Sequence, residues 1–357
     1  MFRQISGAMT AAFILGAMGA CASKRMIPPD VDTVEMIFGA SSEFQATDGR
    51  LRFYEYFCAI NEDHGAELGD FRPCYDALRL PVQEQQPTKS TISLGIPRNR
   101  LRIFVVLGFG TDCVVPLIGA AKTLPDQARR LGQETSFVAV EGLASTARNA
   151  RIIRDTVLSE TSNDEDSRVV LIGYSKGAVD ALDAIVTYPE LASRVSAIVS
   201  VAGAIGGSAL ADDVSQSTAN LLASIPGSGC TKSDEGAVED MLPAVRDAWL
   251  ENHPLPGTIR YYSIVTLPDP EHVSAVLKPS YDKLGKTDYR NDSQVLFVDQ
   301  IIPRSTILAF LNADHWAIAI PIGRTHSILG STLINHNDYP REVLMEALIL
   351  YLAEDLP

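Results

Sequence analysis

The sequence predicts an α/β protein: a mostly parallel sheet with helices on both faces and one lid-like insertion. Three observations carry this. Apolar runs rich in β-branched residues recur at intervals of about thirty residues: LRIFVVL from Leu101, SFVAV from Ser136, RVVLIGY from Arg168 and RVSAIVSVAG from Arg194. None alternates with polar residues, as expected of strands buried on both faces of a parallel sheet. Helix-patterned segments separate them, and in TARNARIIRDTVL the residues Asn149, Ile152, Ile153 and Val157 fall on one helical face.

The N-terminus reads differently. MFRQISGAMTAAFILGAMGACAS has a basic start at Arg3, an apolar stretch through Phe13, Ile14 and Leu15, and small residues ending at Cys21. This is the pattern of an export signal over residues 1–21, too short to span a bilayer stably. MGAC resembles a bacterial lipobox, with Met18 where leucine is usual. That resemblance implies lipidation of Cys21, a membrane lipid anchor and, with Ala22 rather than aspartate next, sorting to the outer membrane. The other reading is a plain cleaved signal with an incidental cysteine. In an oxidising compartment Cys58, Cys74, Cys113 and Cys230 can pair in three ways. Cys58 with Cys74 closes a short polar loop and is the preferred bridge, leaving Cys113 with Cys230. None has metal-ligand spacing, so no metal site is expected.

Residues 22–98 form an N-terminal segment whose role the sequence does not reveal. It begins as a tether and contains PVQEQQPTKS, a surface loop by composition. The strand–helix domain then occupies 99–357. Alternation stops after SVAG, and residues 204–257 are small-residue rich and then amphipathic, consistent with a lid or with a decorated crossover. The sheet resumes with TIRYYSIVTL, and STILAFLNA leads to His315.

Composition bounds the chemistry. The 357 residues suffice for one large domain or two modest ones. Hydrophobic content of 46% and charged content of 21% belong to a folded globular chain. A net charge of −14 argues against nucleic acid, whose phosphates require basic residues.

Ser175 follows the strand VVLIGY and precedes the helix starting at Lys176. A sharp turn there forces the serine into a strained backbone and lifts its hydroxyl clear, while Gly173 and Gly177 let strand and helix approach closely. The helix N-terminus adds its positive end. A serine needs a base, and in such a fold the base follows the last strand. His315 therefore precedes His326 and His336 in preference; His64, His253 and His272 come too early. The acid lies between serine and histidine. Candidates are Asp269, Asp292 and Asp299, among which position alone does not choose; Asp314 adjoins His315, so their side chains diverge. The Lys176 side chain, one residue past the serine, is expected to serve local charge or a surface contact.

NDSQV, with ADHW following so that Asp292 and His315 lie 23 residues apart, resembles the acid and histidine segments of bacterial triacylglycerol lipases. Ser293 stands where those have glycine. LGFG at 107–110 resembles their His-Gly-x-Gly stretch, with leucine for histidine, and GLAS before the helix carrying Asn149 resembles a loop common in α/β-hydrolases. The resemblance to the α/β-hydrolase superfamily covers roughly residues 100–320. It implies a lipase- or esterase-like serine hydrolase using Ser175, His315 and Asp292, with backbone N–H donors at Phe109 and Lys176 for the oxyanion. It implies no cofactor, and carboxylic ester or acyl-lipid substrates. An amidase, peptidase or thioesterase would use the same residues, and a binding protein on the same scaffold is the reading from another class.

Overall fold

The computed structural model describes residues 45–79, 91–110, 123–164, 166–212, 233–325 and 327–356. The expected signal and lipobox, Cys113, Cys230, His326 and the whole PVQEQQPTKS loop lie outside them.

Seven strands form one sheet: β1 (Thr47–Asp48), β2 (Leu101–Val106), β3 (Glu134–Val138), β4 (Arg168–Tyr174), β5 (Val195–Val201), β6 (Arg260–Thr266) and β7 (Thr306–Leu311). Their order across the sheet is β1-β7-β6-β5-β4-β2-β3, and every pairing is parallel. All crossovers therefore return to the same end, and all strand C-termini open on one edge of the sheet.

Six longer helices cover the faces: α1 (Arg50–Ile60), α2 (Thr123–Arg130), α3 (Thr146–Glu160), α4 (Lys176–Thr187), α5 (Pro243–Asn252) and α6 (Arg341–Asp355). Successive residues of a strand point to opposite faces, and β2 shows how this divides the core. Ile103 and Val105 join Phe53 and Phe57 of α1 and Leu348 of α6 on one face, whereas Phe104 and Val106 join Ile153 of α3 and Leu182 of α4 on the other. Apolar side chains are thus needed at consecutive positions, which is why the strands lack polar alternation.

Residues 45–79 are integral to this sheet. Thr47 pairs with Thr306 at the β7 edge, α1 packs on α6 and β7 through the core of one face, and a Cys58–Cys74 disulfide ties the end of α1 to the segment that follows. Of the insertion at 204–257, residues 213–232 fall outside the description. Its later part docks on the covering helices: Trp249 Nε1 donates to Asp183 of α4 at 3.0 Å, and the Ser145 and Thr146 amides at the start of α3 donate to Asp234 and Asp240. Among the described residues no helix is long and apolar enough to cross a membrane.

Candidate active site

Ser175 sits at the C-terminal end of β4 with φ 55° and ψ −125°, a left-handed backbone that costs a non-glycine residue roughly 1 kcal/mol or more. The surrounding structure holds it there. A Cβ on Gly173 would come within 2.3 Å of Ala178 Cα, and one on Gly177 within 2.1 Å of the Val106 carbonyl. Only bare backbone at both positions lets α4 leave the sheet this steeply. The tightness extends to the loop after β2, where a Cβ on Gly108 would meet Ser175 Cβ at 2.7 Å and Lys176 N at 3.2 Å. The 107–110 loop therefore runs against the hydroxyl-bearing turn, with Phe109 next in line and Gly110 N donating to the Gly142 carbonyl.

His315 follows β7 three strands away in the sheet order and reaches the serine: its Nε2 lies 3.0 Å from Ser175 Oγ. Its Nδ1 lies 2.7 Å from Asp292 Oδ2. Asp292 is fully buried and accepts three further hydrogen bonds. Thr266 Oγ1 donates to Oδ2 at 2.5 Å, and the Gln294 and Val295 amides donate to Oδ1 at 2.9 and 2.8 Å. With three other donors aimed at the same carboxylate, Asp292 accepts from the imidazole as well, and that contact fixes the histidine proton on Nδ1. Nε2 then faces the serine hydroxyl as an acceptor. The structure brings together the three residues named from the sequence motifs.

The other acid candidates lie elsewhere. Asp269 is tied to Arg79 Nη2 at 2.6 Å and Asn312 Nδ2 at 2.8 Å. Asp299 lies against Gly206, where burial, aided by the charges of Asp247 and Asp288, pushes its carboxyl up to about 7. Asp314 is buried and points away from the imidazole. It accepts from the Trp316 and Ala317 amides, capping the turn that displays His315, and from Ser274 N. Burial raises its pKa against those donors.

Lys176 meets one of its two expected roles, local charge, and not the other, a surface contact. Its side chain is not at the surface but 1% exposed, and Nζ donates to Asp180 one helical turn on at 2.6 Å. Asn149 Nδ2 donates to the other Asp180 oxygen at 2.8 Å, while its Oδ1 accepts from Glu141 N. The first turns of α4 are buried, and there Lys176 gives the buried Asp180 carboxylate a cation within its own helix. Thr266 and Tyr174 also escaped the sequence reading. Nothing in sequence sets the threonine at the end of β6 opposite Asp292, whereas Tyr174 lay inside the motif that drew attention to Ser175.

A seven-stranded parallel sheet with a strained serine at the turn after β4, and a histidine after β7 in reach of it, defines an α/β-hydrolase. The comparisons agree. No protein-family model matches the sequence, and no curated protein does. Among solved structures the chain is similar to the metagenomic carboxyl esterase MGS0156, at 38% identity and TM-score 0.81, over 91% of this chain and 99% of that one. It is also similar in fold to the mature form of the Bacillus licheniformis lipase BlEst2, at 19% identity and TM-score 0.50, over 69% and 94%. The chain belongs to the α/β-hydrolase family that includes the carboxyl esterase MGS0156.

Proposed function

We propose that the chain is a serine hydrolase that cleaves carboxylic esters through an acyl-serine intermediate, with acyl-lipids the favoured class. The continuous hydrogen-bonded chain from Ser175 Oγ through His315 to Asp292 carries this reading. The similarity to a carboxyl esterase supports it. His315 Nε2 takes the hydroxyl proton as Ser175 Oγ attacks the ester carbonyl, and Asp292 stabilises the imidazolium that results. The Lys176 and Phe109 amides, on either side of the Gly108 contact, donate to the oxyanion of the tetrahedral intermediate. Collapse expels the alcohol with the proton that His315 held. Water then repeats the sequence on the acyl-enzyme and releases the acid.

Ser175→Ala removes the nucleophile while the Gly173 and Gly177 approach is untouched. Fluorophosphonate labelling and hydrolysis of p-nitrophenyl esters should both vanish in a variant that still folds. Labelling of the alanine variant at the wild-type rate would refute the assignment. A chain-length series on the wild type tests the acyl-lipid preference: activity confined to acetate, or to amides, would overturn it. The Cys21 motif supports export and attachment to the outer membrane through a lipid. Absence of Cys21-dependent palmitate label would remove the anchor.

A further inference from the structure

Tyr174 precedes the proposed nucleophile and is used by none of the steps above. It is almost fully buried, and its Oη donates to the backbone carbonyl of His315 at 2.8 Å. Its ring also packs beside the imidazole, with centroids 5.2 Å apart and planes tilted by 37°. The same side chain belongs to the core cluster that includes Ala313, Ala317 and Ile318, on both sides of the histidine turn. One residue of β4 thus grips the main chain and the ring of a residue that arrives after β7.

The grip matters because His315 is displayed on a loop. Its amide donates to the Asp292 carbonyl at 3.0 Å, and its Nδ1 bonds the Asp292 carboxylate, so one residue holds two of its polar groups from the acid side. Both contacts lie toward the acid loop. Apart from the Ser175 Oγ contact, which the reaction itself breaks, these two alone would let the imidazole move with that loop relative to the serine. Tyr174 supplies the third contact from the serine side, and because it adjoins Ser175 it shares that residue's backbone. Tyr174 also keeps its proton: burial, with the charges of Asp292 and Asp314, pushes its phenol well above the usual value, so the O–H remains a donor.

We propose that Tyr174 is a positioning residue that sets the Ser175–His315 distance by tying the histidine main chain to the strand carrying the nucleophile. The inference rests on the serine-hydrolase reading. It predicts a loss confined to chemistry, since Tyr174 is buried behind the histidine, and reactions of this kind lose up to about a hundredfold for a displacement near 1 Å.

Tyr174→Phe keeps the ring and removes one oxygen; Tyr174→Leu removes the ring face as well. On a p-nitrophenyl ester, kcat of the phenylalanine variant should fall about tenfold or more with KM within twofold. The rate of fluorophosphonate labelling should fall in parallel, and the leucine variant should fall further. Melting temperatures report folding, and a leucine variant that fails to fold leaves the phenylalanine variant as the deciding measurement. Wild-type kcat and labelling rate in Tyr174→Phe would overturn the positioning role. So would a rise in KM at constant kcat. A wild type inert in both assays would instead overturn the hydrolase reading itself.

Discussion

Replacing Asp292 by asparagine is isosteric, yet the hydrogen bonds decide what it does. Oδ1 now accepts two backbone amides, Gln294 and Val295, and Oδ2 accepts Thr266 Oγ1 and His315 Nδ1. The asparagine must turn its NH2 toward one pair. Facing the backbone, it meets two donors that cannot reverse, and leaving two buried amides unpaired costs about 1–3 kcal/mol each. Facing Thr266 and His315, it meets a hydroxyl and an imidazole that can both become acceptors. The second orientation therefore wins by about 2–6 kcal/mol. It places the histidine proton on Nε2, pointing at Ser175 Oγ, so the base cannot accept. Regaining the productive tautomer costs that difference, which at about 1.4 kcal/mol per decade is a loss between roughly thirtyfold and twenty-thousandfold. Removing the negative charge beside the imidazolium adds to it. We expect kcat on a p-nitrophenyl ester to fall about a thousandfold, with the melting temperature close to wild type. Retention of more than a tenth of wild-type kcat in folded Asp292→Asn would refute the reasoning, as would an equal loss in Asp299→Asn.

Two further substitutions test the surroundings. Ser293, where related lipases carry glycine, has φ 82° and a buried hydroxyl without a partner. Ser293→Gly should stabilise by roughly 1 kcal/mol after the entropy cost of glycine, raising the melting temperature a few degrees at unchanged kcat; a fall would contradict it. Asp299 has its carboxyl held up to about 7 by burial and two neighbouring aspartates. Between about pH 4 and pH 7 the native state therefore keeps a proton that the unfolded chain releases, and stability declines as pH rises through that window. Asp299→Asn should raise the melting temperature by more at pH 8.5 than at pH 5.5, as scanning calorimetry can check; equal gains would contradict it.

Much of this architecture was written locally. Consecutive apolar positions in β2, β4 and β5 reported a sheet covered on both faces, and the two glycines around Ser175 reported a close strand–helix crossing, because each signal depends on a few neighbouring residues. The histidine was legible from its place after the last apolar run, but the acid only through motif resemblance, since no local property distinguishes Asp292 from Asp299. What separates them is spatial. Asp292 faces Thr266 across a strand end and two amides of its own turn, whereas Asp299 faces Gly206 and other carboxylates. The burial of Lys176 was illegible for the same reason. A charged residue after a serine suggests surface, and only the packing of α3 and the insertion against α4 buries it beside Asp180.

Residues 45–79, silent in sequence, brace the strand end that leads into the histidine turn. The strand at Thr47–Asp48 covers the β7 edge, which would otherwise present an open ladder. The chain then passes along α6, turns at the Cys58–Cys74 bridge and returns across the C-terminal end of β7. There Leu78 bridges Leu311, Arg72 Nη1 donates to the Asn312 carbonyl at 2.9 Å, and Asn312 N donates to the Ala77 carbonyl at 2.9 Å. Arg79 joins Asp269, whose other oxygen accepts from Asn312 Nδ2. Asn312 lies three residues before His315, so the strap fixes the exit of β7 immediately ahead of the turn that Asp314 caps. A loop displaying a base needs rigid ends more than a large interface. The two ends come from different parts of the chain, the strap before the histidine and Tyr174 behind it. A segment that carries none of the reacting groups can therefore be as necessary to their alignment as the strands that bear them.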